Sequence, residues 1–263
     1  MKTLALCSAL ALAAVCAAPA RAEDQLQPLK GTCTIAPSVA PDKMQFRLES
    51  DSCDGGSRGC DRNDSEMPLS VFSGLTLADL KRDGAHVDAV IAAEAGKLTC
   101  SGTVHDLTLA GNYTFVPDPA FVDRMARMGF TGYTSEKLEA YTLFHVESSW
   151  IQSLQAAGVT GITSDNIIAM RIFKVDPDYV KSMSDLGYAK LPAEKLIAFR
   201  IHGVNPAEVR QYRAMGYDPN ADQLIQMRIF KVTPEFIQHM QARGLNHLTI
   251  DKLVQIRIFK LAD

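Results

Sequence analysis

The sequence lacks an excess of either charge. Its 263 residues contain 27 Lys and Arg against 30 Asp and Glu, a formal net charge of −3 at pH 7. A nucleic-acid-binding surface needs a basic excess, so this balance predicts no nucleic-acid partner. The sequence also lacks a His-Glu-x-x-His zinc motif and a glycine-rich phosphate loop, which excludes the enzyme families that depend on them. We therefore expect no cofactor.

Long apolar runs are also absent, except near the N-terminus. Lys2 precedes an apolar run from Leu4 to Ala18, and Ala20-Arg21-Ala22 has the small-x-small pattern of a cleavage site. This arrangement predicts a signal peptide over residues 1–22, cleaved near Ala22, and a periplasmic or secreted protein. The run is shorter than the roughly 20 residues that span a bilayer. An uncleaved anchor and a lipid anchor at Cys16 are the alternatives, and no later stretch predicts a transmembrane span.

Cysteine is scarce, and beyond the predicted signal peptide it is confined to the first half of the chain. An even number of cysteines in an exported domain indicates disulfides, and four cysteines allow three connectivities. Two of the four flank a glycine-rich loop that closes easily, which favours pairing them with each other. A metal site is less favoured, because no Cys-x-x-Cys pair exists and no histidine is near in sequence. The favoured pairs are Cys53–Cys60 and Cys33–Cys100.

Residues 23–116 have the pattern of a β-rich domain. Apolar and polar residues alternate from Met44 to Leu48, as in a half-buried strand. Glycines separate this segment from further short apolar segments, and Thr76 can cap a short helix that ends near Leu80. The pattern predicts a small disulfide-linked sandwich or open barrel.

Residues 117–263 contain an internal repeat of about 29 residues. Five glycines recur at intervals of 29, 29, 29 and 28 residues, and the aliphatic residue that ends each unit recurs with the same period. This periodicity predicts an α-solenoid of five αα-hairpin units, with a one-residue deletion in the loop after Gly216. The overall fold class is therefore α+β with two regions. The glycines are Gly129, Gly158, Gly187, Gly216 and Gly244; the unit ends are Val146, Val175, Val204, Val232 and Leu261.

Each unit has helix-start and helix-stop residues at fixed positions. A capping residue followed by proline begins the first helix in four units, whereas unit two has the poorer start Glu147-Ser148. We expect the periodic glycine to end this helix in a left-handed turn. An aromatic residue usually follows the cap, but Glu208 replaces it in unit four. The predicted caps are Asp118, Asp176, Asn205 and Thr233 for first helices and Thr134, Thr163, Asn220 and Thr249 for second helices.

The second helices end in a repeated tail close to Arg-Ile-Phe-Lys-Val. The arginine and the residue three positions later share a helix face, so stacked units align them as a basic ladder that can hold a carboxylate or phosphate. The structural alternative pairs each arginine with an acidic residue at the start of a neighbouring second helix: Asp165, Glu194, Asp222 or Asp251. We expect the phenylalanines Phe173, Phe230 and Phe259 in the core. The candidate binding residues are Arg171, Lys174, Arg200, His202, Arg228, Lys231, Arg257 and Lys260.

The repeats over residues 118–261, together with Leu75–Leu80, Gly96–Cys100 and Gly111–Phe115, resemble segments of certain bacterial envelope proteins. In that group, similar helical repeats follow the extracytoplasmic part of membrane metallopeptidases of the beta-lactam-sensor type, or occur in short secreted proteins. The resemblance implies an envelope sensing or interaction module. It implies no peptidase activity, because the chain has no His-Glu-x-x-His motif.

These patterns predict a non-catalytic binding or scaffold protein whose repeats bind an envelope protein or peptide. Carbohydrate or cell-wall binding through the β-rich domain is the first alternative, and an enzyme with an unrecognised site is the second. Unit five keeps Phe259 and Leu261 in its apolar pattern and has no polar cap. Self-association through the C-terminal repeat is therefore a further hypothesis.

Overall fold

The computed structural model describes residues 26–40, 42–51 and 62–259. The predicted signal peptide, the Cys53–Cys60 pair and Lys260 lie outside these residues. In the part of the chain that is described, no helix is both long enough and apolar enough to cross a bilayer. The described residues form an α+β protein in which a six-stranded sheet is followed by ten helices.

The sheet is antiparallel and curves into a half-barrel, rather than forming the two packed sheets of a sandwich. Its spatial order is β3-β2-β1-β6-β5-β4. A short helix, α1 (Leu77–Leu80), lies between β3 and β4, and Thr76 caps it by accepting a hydrogen bond from the Asp79 amide, as predicted. The strands are β1 (Leu29–Pro37), β2 (Lys43–Ser50), β3 (Arg62–Pro68), β4 (His86–Ala93), β5 (Gly96–His105) and β6 (Thr108–Pro117).

Cys33 of β1 and Cys100 of β5 form a disulfide, which confirms one of the two predicted pairs. Strand β6 lies between them, with Gly111 opposite Cys33 and Tyr113 opposite Cys100. The two cysteine Cα atoms are 6.0 Å apart, whereas strands two places apart in a flat sheet are separated by about 9.5 Å. The sheet is therefore sharply bent here. Gly111 permits the bend, because a Cβ atom on it would lie 2.0 Å from the carbonyl oxygen of Ser101.

The helices after the sheet alternate between two layers. The first layer consists of α2, α4, α6, α8 and α10, with contacts from α2 to α4, from α4 to α6 and from α8 to α10. In the second layer α5 contacts α7, α7 contacts α9 and α9 contacts α11. The helices are α2 (Pro119–Arg127), α3 (Ser135–Leu143), α4 (Ser148–Ala156), α5 (Ile167–Ile172), α6 (Pro177–Ser184), α7 (Ala193–Ile201), α8 (Pro206–Ala214), α9 (Ala221–Ile229), α10 (Pro234–Ala242) and α11 (Ile250–Phe259).

The predicted helix starts and stops are confirmed at most positions. The first-helix caps Asp118, Asp176, Asn205 and Thr233 each accept a hydrogen bond from an amide of the first turn. Among the second-helix caps, Thr134, Asn220 and Thr249 do the same. Thr163 instead accepts from the amide of Asn166, so it closes a turn just before α5. The five periodic glycines all have φ between 82° and 90°, the left-handed conformation that glycine adopts without a side-chain penalty.

The sheet and the first helices share one hydrophobic core. Phe121, Leu138 and Tyr141 belong to the same buried cluster as Phe115 of β6, and α3 packs across β4, β5 and β6. A second cluster continues from Leu154 in α4 to Val254 in α11. The helices closest to the sheet are thus bound to it by apolar packing.

A side chain from the sheet compensates for the poor start of α4. Glu147 makes no capping hydrogen bond with its side chain. Instead, Glu94, in the turn between β4 and β5, accepts hydrogen bonds from the amide and the hydroxyl of Ser148 at 3.1 and 2.8 Å. The same carboxylate oxygen lies 3.6 Å from a guanidinium nitrogen of Arg124 in α2. One carboxylate therefore connects the sheet to α2 and α4.

Candidate binding surface

The C-terminal ends of the second-layer helices, together with α3, expose a row of large apolar side chains. We call this region the tail surface. Ile201 is 51% exposed and Phe259 is 66% exposed, values far above those of core residues. The prediction that Phe173 and Phe259 lie in the core is wrong, and Phe230 is only half-buried. The exposed members are Phe144, Ile172, Phe173, Ile201, Ile229, Ile258 and Phe259.

A recurrent helix-ending geometry explains why these phenylalanines point outward. At the end of α5 the amide of Val175 donates to the carbonyl of Met170 at 2.8 Å, and the amide of Lys174 donates to that of Arg171. This is the Schellman pattern, in which the residue after the left-handed position packs back onto the helix. Val175 and Met170 are accordingly buried, while Phe173 is the last residue before the chain turns. The ends of α3, α7 and α9 repeat the pattern, with Val146, Val204 and Val232 in the place of Val175.

The repeated arginines bind helix ends. Each arginine Nε donates to the backbone carbonyl of the residue that ends the preceding second helix, at distances of 2.8 to 3.1 Å. Such carbonyls have no partner within their own helix and attract cations through the helix dipole. The arginines therefore join successive helices. The pairs are Arg171 with Phe144, Arg200 with Phe173, Arg228 with His202 and Arg257 with Phe230.

Three of the guanidinium groups also lie over aromatic rings of the first-layer helices. Arg171 stands 5.3 Å from the ring centroid of Trp150, and Arg200 stands 4.7 Å from that of Tyr179. Arg257 has the same relation to Phe236 at 4.7 Å. These distances are within the range of cation–π attraction.

The exception is Arg228, whose aromatic partner is replaced by an acid. Its Nη1 donates to both carboxylate oxygens of Glu208 at 2.9 and 2.8 Å. Glu208 was recognised in the sequence as an irregularity of unit four, but its connection to Arg228 was missed. In all four cases, therefore, a side chain of a first-layer helix contacts the arginine, through an aromatic ring in three and through a carboxylate in one.

The alternative in which the arginines pair with acids at the starts of second helices is wrong. Asp165 forms its ion pair with Lys137 at 2.7 Å, and Asp222 pairs with Lys195. Arg171 follows Asp165 by six residues, which corresponds to about 9 Å along a helix. Because neighbouring helices of the layer run in the same direction, the acids line one edge of the layer and the arginines the other.

Two concavities on the tail surface bring the predicted binding residues together. One, of about 500 Å³, is lined by Arg171 and Lys174 with Phe144, Trp150, Ile172, Val175 and Asp176. The other, of about 670 Å³, is lined by Arg228, Lys231 and Arg257 with Thr233, Glu235, Phe236 and His239. His202 and Arg200 lie between these concavities in the chain, and Lys260 is outside the described residues. Lys174 and Lys231 are exposed.

The sheet offers a different, more polar concavity. It has a volume of about 410 Å³ and is lined in part by Ser50, Asp64, Tyr113 and Glu139. Burial, with a smaller contribution from the nearby Glu139 charge, raises the pKa of Tyr113. The aromatic side chains in residues 26–40, 42–51 and 62–117 are all buried (Phe46, Phe72, Tyr113 and Phe115). The described part of the sheet therefore provides no exposed ring on which a sugar could stack.

No grouping with the form of a metal site occurs among the described residues. One sequence pattern was missed: Gly55–Gly59 has the letters Gly-x-Ser-x-Gly, which in some hydrolases surround a nucleophilic serine. The pentapeptide lies outside the described residues. The described elements on either side are the strands β2 and β3, whereas that motif requires a strand followed by a helix.

No protein family matches this chain. No curated protein and no solved structure is significantly similar to it. The resemblance of the repeats to those of envelope proteins therefore remains a prediction from the residue pattern.

Proposed function

We propose that the protein is a non-catalytic binding or scaffold protein that holds another protein or a peptide on its tail surface. The observation that supports this proposal is the exposed apolar row beside the two concavities. Single exposed aliphatic or aromatic side chains are common, but several at equivalent ends of neighbouring helices, bordered by polar groups, are typical of interaction sites. Arginine and aromatic residues, which supply most of the binding energy at interfaces, occur together in both concavities.

We further propose that the helical region is an α-solenoid of five units with a period of about 29 residues. The equivalent caps, glycine turns, Schellman ends and arginine bonds support this description. The single-residue deletion also has a structural counterpart. Gly132, Gly161, Lys190 and His247 have positive φ three residues after the periodic glycine, whereas residues 217–220, all described, contain no residue with positive φ. A solenoid presents equivalent positions of successive units in a line, which suits an elongated ligand.

The proposed location is the periplasm or the exterior of the cell. A disulfide between Cys33 and Cys100 is compatible with an oxidising compartment. Fractionation of cells that express the full chain, with N-terminal sequencing of the product, tests this part of the proposal. Recovery of uncleaved protein in the cytoplasm would contradict it.

The binding proposal is tested by affinity capture from an envelope extract with the purified full chain as bait. The variant Ile172→Ser/Ile229→Ser removes two exposed apolar side chains of the tail surface. The control Leu77→Ser removes an exposed apolar side chain of the sheet region instead. We expect the double variant to lose proteins that the wild type and the control both retain. Identical captured sets for all three baits would contradict the proposal.

A second candidate is self-association through the last helix. Ile258 and Phe259 of α11 are among the exposed members of the apolar row, at 46% and 66%. If copies of the chain join there, the sedimentation coefficient rises with protein concentration, and Phe259→Ser abolishes the rise. A sedimentation coefficient that is independent of concentration for both proteins would exclude this candidate.

A further inference from the structure

Two lysines of the tail surface occupy a backbone conformation that favours glycine. Lys174 has φ of 55° and Lys231 has φ of 53°, each at the left-handed position that ends a second helix. The corresponding position at the end of α7 is Gly203, with φ of 70°. Left-handed backbone is unfavourable for residues with a Cβ atom, and both lysine side chains are exposed. Packing therefore does not account for lysine at these two positions, where the ammonium groups lie at helix C-termini and face solvent.

The surroundings of these lysines are basic overall. The concavity beside Lys174 contains Arg171 and one acidic residue, Asp176. The Asp176 carboxylate is engaged as a helix cap, since it accepts a hydrogen bond from the amide of Tyr179 at 2.8 Å. Around Lys231 the concavity is lined by Arg228, Arg257 and one acidic residue, Glu235. Arg228 is also paired with Glu208, so three positive charges stand against two negative ones. Hydrogen bonds at the start of α10, including one with Thr233, hold the pKa of Glu235 below its usual value.

We propose that the ligand of the tail surface is an acidic segment of another protein that also carries apolar side chains, with its carboxylates bound by Lys174 and Lys231. This inference rests on the proposed function. The apolar side chains of the segment pack against Ile172, Ile229 and the rings in the concavities, while its carboxylates face the two lysines. Charge complementarity selects an acidic partner, because opposite potentials across an interface favour the correct ligand and repel basic ones.

The shape of the surface favours a protein segment over an anionic bilayer. A bilayer is nearly flat on this scale, and it would contact only the ridges between the two concavities. Binding to phosphatidylglycerol vesicles that depends on the two lysines is accordingly an outcome that overturns the proposal.

The test selects peptides from a random phage-displayed library on the immobilised full chain. Enriched peptides are then synthesised, and their affinities for the full chain are measured by fluorescence anisotropy. The variant Lys174→Gly/Lys231→Gly removes both ammonium groups and leaves the backbone conformation favourable. The matched control is Lys190→Gly/His247→Gly, which makes the same kind of change at two exposed left-handed positions in the loops before second-layer helices.

We expect the enriched peptides to contain Asp or Glu together with aromatic or aliphatic residues. Their binding should weaken about tenfold in the tail-surface variant, the order expected from the loss of two exposed ion pairs, and should not change in the control. Enriched peptides without an acidic bias, or equal affinity for both variants, would overturn the inference but leave the proposed function standing. If no enriched peptide binds more weakly to the Ile172→Ser/Ile229→Ser variant than to the wild type, that result would count against the proposed function itself.

Discussion

The contact between Arg228 and Glu208 joins the two helix layers, and its contribution to the free energy of unfolding can be measured. Glu208→Ala removes two charge-assisted hydrogen bonds of 2.8–2.9 Å to Arg228 and one of 3.1 Å from the Tyr212 hydroxyl. The side chains are 32% and 11% exposed, for arginine and glutamate respectively. The pair is thus between an exposed ion pair, which contributes at most about 1 kcal/mol, and a buried one, whose disruption costs about 3–5 kcal/mol. We expect Glu208→Ala to lower the free energy of unfolding by about 2 kcal/mol.

The assay is urea denaturation of the wild type, Glu208→Ala, Arg228→Ala and the double variant, combined as a double-mutant cycle. We expect a coupling energy of about 1–2 kcal/mol for this pair. The control cycle is Lys181 of α6 with Asp185, the residue that follows this helix; the pair is exposed, and about 0.3–0.5 kcal/mol is expected for it.

Glu208→Tyr provides a sharper variant of the same test. It introduces the ring chemistry that Tyr179 offers to Arg200, so the arginine keeps a partner. We expect this substitution to lose less stability than Glu208→Ala. Equal losses, or a coupling energy no larger than that of the control cycle, would refute the idea that first-layer side chains anchor the arginines.

Four further predictions follow from features of the fold. Lys174→Gly should raise the free energy of unfolding by up to about 1 kcal/mol in urea denaturation, because glycine relieves left-handed strain; a loss of stability would contradict this. Thr142→Val should stabilise by about 1 kcal/mol, since the fully buried Oγ1 has no hydrogen-bond partner among the described residues, whereas Thr142→Ser should destabilise. Gly111→Ala should destabilise by about 3 kcal/mol or prevent folding, because its Cβ would overlap the Ser101 carbonyl; wild-type stability would disprove the tight approach. Stability should also fall above pH 10, because burial raises the pKa of all seven tyrosines in the folded state, most strongly that of four of them. The unfolded state therefore loses its tyrosine protons first, which costs about 1.4 kcal/mol at pH 11 for each of these four. Absorbance at 295 nm should then show their ionisation only as the protein unfolds, and gradual ionisation in the folded state would contradict it; these residues are Tyr113, Tyr141, Tyr179 and Tyr212.

Local features of the fold were predictable because they depend on a few adjacent residues. A capping Asp or Thr before proline and a glycine at a helix end act within one turn, and they were read correctly at Asp118 and Gly129. The pairing of Cys33 with Cys100 followed from elimination among four cysteines. The bend that allows it, centred on Gly111, was not foreseen, because it depends on which strands are neighbours in the sheet.

Contacts between units were harder to predict. Arginines and acids recurring at one period suggested ion pairs, but periodicity does not reveal which edge of the helix layer each residue occupies. The outward orientation of Phe173 was missed for a related reason. If the helix continued, Phe173 would face the core, but the Schellman end turns the chain so that Val175 is buried instead. The packing of α3 on the sheet depends on tertiary contacts far apart in sequence, such as that of the Ser135 hydroxyl with the Gln27 carbonyl.

The arginine bonds connect the second-layer helices in series, and this has a consequence for local opening. Arg171 attaches α5 to the end of α3, which packs on the sheet, and each later arginine attaches its helix to the one before it. Among the described residues, α11 packs on α9, whereas α3 packs on three strands of the sheet. Where helices are attached in series, opening is expected to be easiest in those farthest from the sheet. Amide hydrogen exchange should accordingly be slowest in β5 and α3 and become progressively faster from α5 to α11.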